Sequence, residues 1–177
     1  MKSFKLILVL FISQISFGQL AQIDWVTFDE AVELNKTNPK MFFFDIYTDW
    51  CGWCTKMDKN TFQNPQVAAY MNEHYYCIKF NAEKEDDITW NGKTYKLLNK
   101  GQRGAYHEFC TYLNNGKRVS GYPTVSFLNS DLKVLAPISS YLDIPKFESI
   151  IKFLVNGVPK GISYEEYMKT FKSEFSS

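Results

Sequence analysis

Apolar positions along this chain follow two regimes. From Met41 to Tyr47 (MFFFDIY) they run almost without a break, the pattern of a strand covered on both faces. YYCIKF at 75–80 repeats it. Elsewhere they recur at helical spacing between identifiable stops. Thr27 with Glu30 makes a capping box that predicts a helix from Phe28 to about Lys36, with Ala31, Val32 and Leu34 partly inward, ended by Asn38-Pro39. A helical pattern runs from Cys51 through Met57 and Phe62, and Asn64-Pro65 restarts it as cap and first helical residue, leading into the second strand. Residues 86–103 depart from this rhythm: Asn91-Gly92 between β-prone flanks predicts a hairpin, read as an insertion. A helix is expected from about Ala105 to Leu113, closed by Asn115-Gly116. TVSFLN (124–129) and KVLAPIS (133–139) read as antiparallel strands around Ser130-Asp131. Ile144-Pro145 opens a helix carrying Phe147, Ile150, Ile151, Phe153 and Leu154, and Ser163 with Glu166 caps a last helical segment over 163–175. The order predicts an α/β domain, a mixed sheet with helices on both faces.

Composition adds a compartment and removes some partners. The chain has 177 residues, 45% hydrophobic and 22% charged, an ordinary globular balance large enough for one core. A formal charge of +1 provides no basic field, so nucleic acid is not an expected partner. Lys2 and Lys5, an apolar run from Leu6 to Ile12, then Ser16 and Gly18 have the layout of a secretory signal peptide, too short for a membrane anchor. Cleavage is expected after Gly18, with Ala21 as a second candidate, leaving 19–177 as a single exported domain with an extension from about 156. No cysteine lies near that cut to carry a lipid. Periplasmic placement is expected, secretion being the alternative, and in either case disulfides persist.

The four cysteines are Cys51, Cys54, Cys77 and Cys110. Cys51 stands just before a predicted helix, where unpaired amides and the positive end of the helix dipole favour a thiolate. Cys54 is one turn later, within reach of the first sulfur. Zinc sites use this spacing too, but require two further ligands; His74 and His107 do not pair with either cysteine motif, and no metal or other cofactor is expected. Asp45, the one charge in an apolar strand, is costly unless it has a partner or a task.

Trp50-Cys51-Gly52-Trp53-Cys54 after an apolar strand with an internal Asp, followed later by Gly121-Tyr122-Pro123-Thr124 before another strand, resembles the thioredoxin fold. DWCGWCTKMD and TFQNPQVAAYMNE are similar to exported thioredoxin-like proteins of the thiol–disulfide interchange class. The resemblance covers about 25–155 apart from 86–103. It implies a thioredoxin fold with a hairpin insertion before the third core helix and an extra C-terminal helix. It also implies that Cys51 is the attacking nucleophile, Cys54 the resolving thiol, and Pro123 a cis-proline facing the dithiol, with Tyr122 offering its backbone to an extended substrate. Asp45 matches the buried acid that takes the Cys54 proton, and Lys79 its neighbouring lysine. Trp50 matches the tryptophan beside the site. Trp53 departs from the proline common in thioredoxins, which implies a less reducing couple.

The expected activity is thiol–disulfide exchange with protein substrates by a monomer served by an upstream redox partner, as a reductant first and as an oxidant or isomerase second. A redox-inert binding module and a metal-delivery protein are the other readings. Cys77 and Cys110 are expected as buried free thiols, a second disulfide being the alternative. Trp90 and Tyr95 are expected to pack within their hairpin, an exposed substrate platform being the other account.

Overall fold

The computed structural model describes residues 21–175. The expected signal peptide and its first cut, after Gly18, lie outside them. Helix α1 (Phe28–Asn35) forms behind its capping box: the Thr27 hydroxyl accepts from the Glu30 amide, and the Glu30 carboxylate accepts from the Thr27 amide at 2.8 Å. Its Ala31 is buried, but Leu34 is largely exposed, contrary to expectation: it turns away from the stripe that Phe28 and Ala31 define. Strand β1 (Met41–Tyr47) is followed by helix α2 (Gly52–Met57), a π-type turn over Asp58–Phe62, helix α3 (Pro65–His74) and strand β2 (Tyr75–Asn81). This crossover lays β2 parallel to β1, in a register that sets Asp45 opposite Lys79.

Next come the insertion strands β3 (Ile88–Trp90), β4 (Lys93–Tyr95) and β5 (Leu97–Leu98), and just beyond the insertion β6 (Tyr106–His107). Asn91 and Gly92 both have positive φ, as a two-residue hairpin turn between β3 and β4 requires. Helix α4 is shorter than expected, Phe109–Leu113, because Tyr106 and His107 pair with Leu98 and Leu97 instead of joining it. Strands β7 (Thr124–Leu128) and β8 (Val134–Ile138) close a four-stranded mixed sheet of order β2-β1-β7-β8, β7 antiparallel to both neighbours. Helix α5 (Ile144–Asn156) follows, capped by Asp143.

The sheet separates two cores, and the parity of β1 assigns its side chains between them. Phe42, Phe44 and Ile46 pack with Phe28, Ala31, Phe109 and Leu113. Phe43 packs with Met57, Phe62, Val67 and Phe147. Each fully buried phenylalanine contributes roughly 2 kcal/mol of apolar transfer. Asp45 shares Phe43's parity and therefore faces the layer holding α2. The insertion's aromatics are absorbed by the other core: Trp90 meets Phe28 edge-on at 5.7 Å, and Tyr95 is buried against Phe109. They form no exposed platform; they seal the main core rather than a core of the hairpin's own.

The last helical segment is also shorter than expected, α6 spanning Tyr164–Met168. Beyond it the chain is held by a buried carboxylate instead of its own helical bonds. Glu148 on α5 accepts from the Ser173 hydroxyl at 2.5 Å and from the amides of Glu174 and Phe175 at 3.0 and 3.2 Å. Lys152 pairs with Glu148 at 2.8 Å and with Glu174 at 2.5 Å.

Candidate active site

Strand β1 delivers its C-terminal end to a short loop, and Cys51 caps α2. Its sulfur accepts the Cys54 amide at 3.0 Å. Cys51 and Cys54 are joined by a disulfide with Cα atoms 5.3 Å apart, and each is only 6% exposed. Because α2 starts at Gly52, the amide that would otherwise be orphaned at the helix start is aimed at the first sulfur.

Asp45 lies behind this pair, 2% exposed. Its Oδ2 is 3.2 Å from Lys79 Nζ, the pairing that the β1–β2 register dictates. Lys79 also reaches Asp58 Oδ1 at 2.5 Å and lies 4.6 Å above the Trp25 ring. Burial pushes the Asp45 carboxyl up to about 6, with Lys79 pulling the other way. Burial alone would depress Lys79, but Asp45 and Asp58 outweigh it and raise it. Asp45, Thr48, Cys54, Asp58 and Lys79 line one open cleft of about 310 Å³. Among the described residues, Asp45 Oδ1 and Thr48 Oγ1 have no hydrogen-bond partner. A carboxyl with an uncommitted oxygen, a pKa near neutrality and a sulfur in the same cleft is suited to exchanging a proton with that sulfur.

On the other side the Tyr122–Pro123 bond is cis, and Pro123 lines a groove of about 290 Å³ with Trp53, Gly121, Tyr122 and Tyr141. The Thr124 hydroxyl lies 2.7 Å from both the Gly121 carbonyl and the Ser139 hydroxyl, tying this loop to β8's end. Trp50 and Trp53 are 68% and 57% exposed, although both are large and apolar. Trp50 meets Tyr122 edge-on at 5.9 Å and donates its indole N–H to Glu83 at 2.9 Å. Trp53 meets Tyr141 edge-on at 5.5 Å, with the Lys56 ammonium 4.8 Å from its ring.

The structure thus gathers Cys51, Cys54, Asp45, Lys79, Trp50, Trp53, Tyr122 and Pro123 around one disulfide. It adds Asp58, Tyr141 and Glu83, which sequence reasoning passed over. Asp58 was findable, since it follows Cys54 by four residues and shares its helical face. Tyr141 and Glu83 had no local signal, because they arrive from distant loops. Cys77 and Cys110 are buried free thiols in the two cores on opposite sides of the sheet, too far apart in the fold to pair. Burial pushes Cys110 up to about 12 and Cys77 well above the ordinary thiol range. His107 is buried under the insertion, its Nδ1 accepting the Phe109 amide at 3.1 Å. Among the described residues no group of three or more His, Cys, Asp or Glu side chains is placed to hold a metal.

Fold and site together define a thioredoxin-like protein with a Cys-x-x-Cys disulfide at the start of its second helix. Residues 17–155 match the Thioredox_DsbH family model, described as "Protein of unknown function, DUF255", and the chain belongs to that family. Disulfide bond reductase DsbH of Chlamydia pneumoniae is 24% identical over 117 residues, covering 66% of this chain and 62% of that one. The first curated relatives are much longer: the chain spans only 8% of mouse spermatogenesis-associated protein 20, at 28% identity over 37% of its own length. Among solved structures, a DsbH oxidoreductase aligns with TM-score 0.53 and 18% identity over 85% of this chain and 92% of that one. A thioredoxin from Thermus thermophilus aligns with TM-score 0.55 and 16% identity, over 81% and 95%. Both likenesses establish the fold.

Proposed function

We propose that this protein is a thiol–disulfide oxidoreductase that reduces protein disulfides outside the cytosol. The observation that carries the reading is the cleft shared by Cys54 and the buried, uncommitted Asp45 carboxyl. The homology to a protein named disulfide bond reductase supports the same direction of electron flow.

In the reduced protein the Cys51 thiolate, stabilised by the Cys54 amide, attacks one sulfur of a substrate disulfide. That bond breaks, a Cys51–substrate disulfide forms, and the departing substrate thiolate takes a proton from water. Asp45 then accepts the Cys54 proton. The Cys54 sulfur attacks Cys51, closing the disulfide seen here and releasing the second substrate sulfur as a thiolate that takes its proton from water. The substrate is reduced by two electrons and the Cys51–Cys54 pair is oxidised by two, so turnover requires a dithiol partner upstream. Lys79 tempers the carboxyl's rise so that it can still release the proton. The groove beside Pro123 receives the extended substrate, and Trp50 and Trp53 flank it. The N-terminal pattern of charge, apolar run and small residues supports export to the periplasm, and fractionation of the native host tests that placement.

The reading is tested by insulin reduction with dithiothreitol as electron source. The protein is expected to accelerate precipitation of the insulin B chain, with Cys51→Ser inactive and Cys54→Ser accumulating mixed disulfides. No acceleration over dithiothreitol alone would leave a redox-inert module.

A further inference from the structure

The segments flanking the insertion grip both walls of the substrate cleft, Glu83 just before its entry and Tyr106 just after its exit. At its entry, Glu83 holds the Trp50 indole N–H at 2.9 Å, while the Glu83 amide donates to the Asn81 side chain at 3.0 Å. Asn81 in turn donates to Asp49 at 2.8 Å, so the loop carrying Trp50 is fastened at two places. At its exit, the Tyr106 hydroxyl accepts the Val119 amide at 3.1 Å, and the Arg118 guanidinium lies 3.9 Å above the Tyr106 ring. Val119 is three residues before Tyr122, the residue whose ring meets Trp50. The two ends are joined: the His107 amide donates to the Ala82 carbonyl at 2.7 Å. Tyr106 is 3% exposed and also contacts the Thr111 hydroxyl at 3.2 Å, so its position is set by the core rather than by the loop it holds.

We infer that the two segments flanking the insertion form a positioning clamp for protein substrates, with Glu83 setting Trp50 and Tyr106 setting the loop before Pro123. This rests on the oxidoreductase reading. The clamp touches neither sulfur and acts through the cleft walls. A substrate that spans the cleft depends on the distance between those walls; a small disulfide that meets only Cys51 does not.

The test measures second-order rate constants of the reduced protein with two probes, insulin and 5,5′-dithiobis(2-nitrobenzoate), for the parent, Tyr106→Phe, Glu83→Ala and Glu83→Gln. Losing one positioning hydrogen bond is expected to slow the insulin reaction about fivefold in Tyr106→Phe and Glu83→Ala. The loss on the small probe should be at least about threefold smaller than on insulin, given that a small disulfide needs only the sulfur in place. Glu83→Gln retains a carbonyl acceptor for the indole and should restore most of the insulin rate. Equal losses on both probes would place the defect at the dithiol and overturn the clamp, as would insulin rates in both variants matching the parent. If Tyr106→Phe fails to fold, the Glu83→Ala and Glu83→Gln pair on the partly exposed entry loop decides alone. A parent inactive on both probes overturns the oxidoreductase reading first, and the clamp with it.

Discussion

Asp45 is a buried carboxyl sharing a cleft with Cys54. Asp45 has an ordinary carboxyl's pKa in the unfolded chain and one near 6 when folded, because burial penalises its charge. Between pH 4 and 6 the folded chain therefore binds more protons than the unfolded chain, and stability falls as pH rises through that window. Above it the full penalty remains, roughly 3 kcal/mol at 1.36 kcal/mol per unit. Asp45→Asn should accordingly raise stability at pH 7.5 by that order, measured by urea unfolding, with the gain shrinking as pH falls from 6 to 4. The same variant should slow mixed-disulfide resolution roughly tenfold or more at neutral pH. A variant neither stabilised nor slowed would mean that the carboxyl is already neutral or does not take the Cys54 proton. Trp53 allows a second expectation. It stands between the cysteines where thioredoxins commonly carry proline, and residues there tune the couple through the thiolate. Titration against glutathione should give a potential less reducing than thioredoxin's, about −270 mV, and Trp53→Pro should move it toward that value.

Helices and strands here formed where local chemistry and tertiary packing agreed. Asn64 accepts from the Gln66 and Val67 amides at 2.9 and 3.1 Å, and Pro65 opens α3 behind it. Asn64→Ala should cost about 1 kcal/mol, visible as a lower thermal midpoint with no change in the disulfide's chemistry. Capping signals of this kind, with the apolar runs of β1 and β2 and the Asn91-Gly92 turn, made the order of elements legible, since each acts within a few residues. The two misjudged lengths have the opposite origin. Tyr106 and His107 look helical by neighbourhood but pair with Leu98 and Leu97 across a loop. Residues 173–175 carry a helical pattern, yet Glu148, a carboxylate from another helix, takes their donors. The site divides the same way. The cysteines were readable from their spacing and Asp45 from its charge in an apolar strand, and Lys79 and Pro123 from the resemblance to thioredoxins, whereas Glu83 and Tyr141 depend on where loops land.

Across the described residues the sheet has two flanks, and each is interrupted as an edge for further pairing. Beside β2, Trp25 bridges Cys77, and the Val26 amide donates to the Cys77 carbonyl at 2.9 Å. At the other flank β8 carries Pro137, a residue with no amide proton to offer a newcomer. A solution of this protein should therefore resist templated fibril growth even when crowded. Pro137→Val would restore the missing donor on a half-exposed strand, and thioflavin fluorescence on prolonged incubation should then rise earlier than in the parent. Equal lag times would mean that something other than the proline keeps neighbouring copies from stacking.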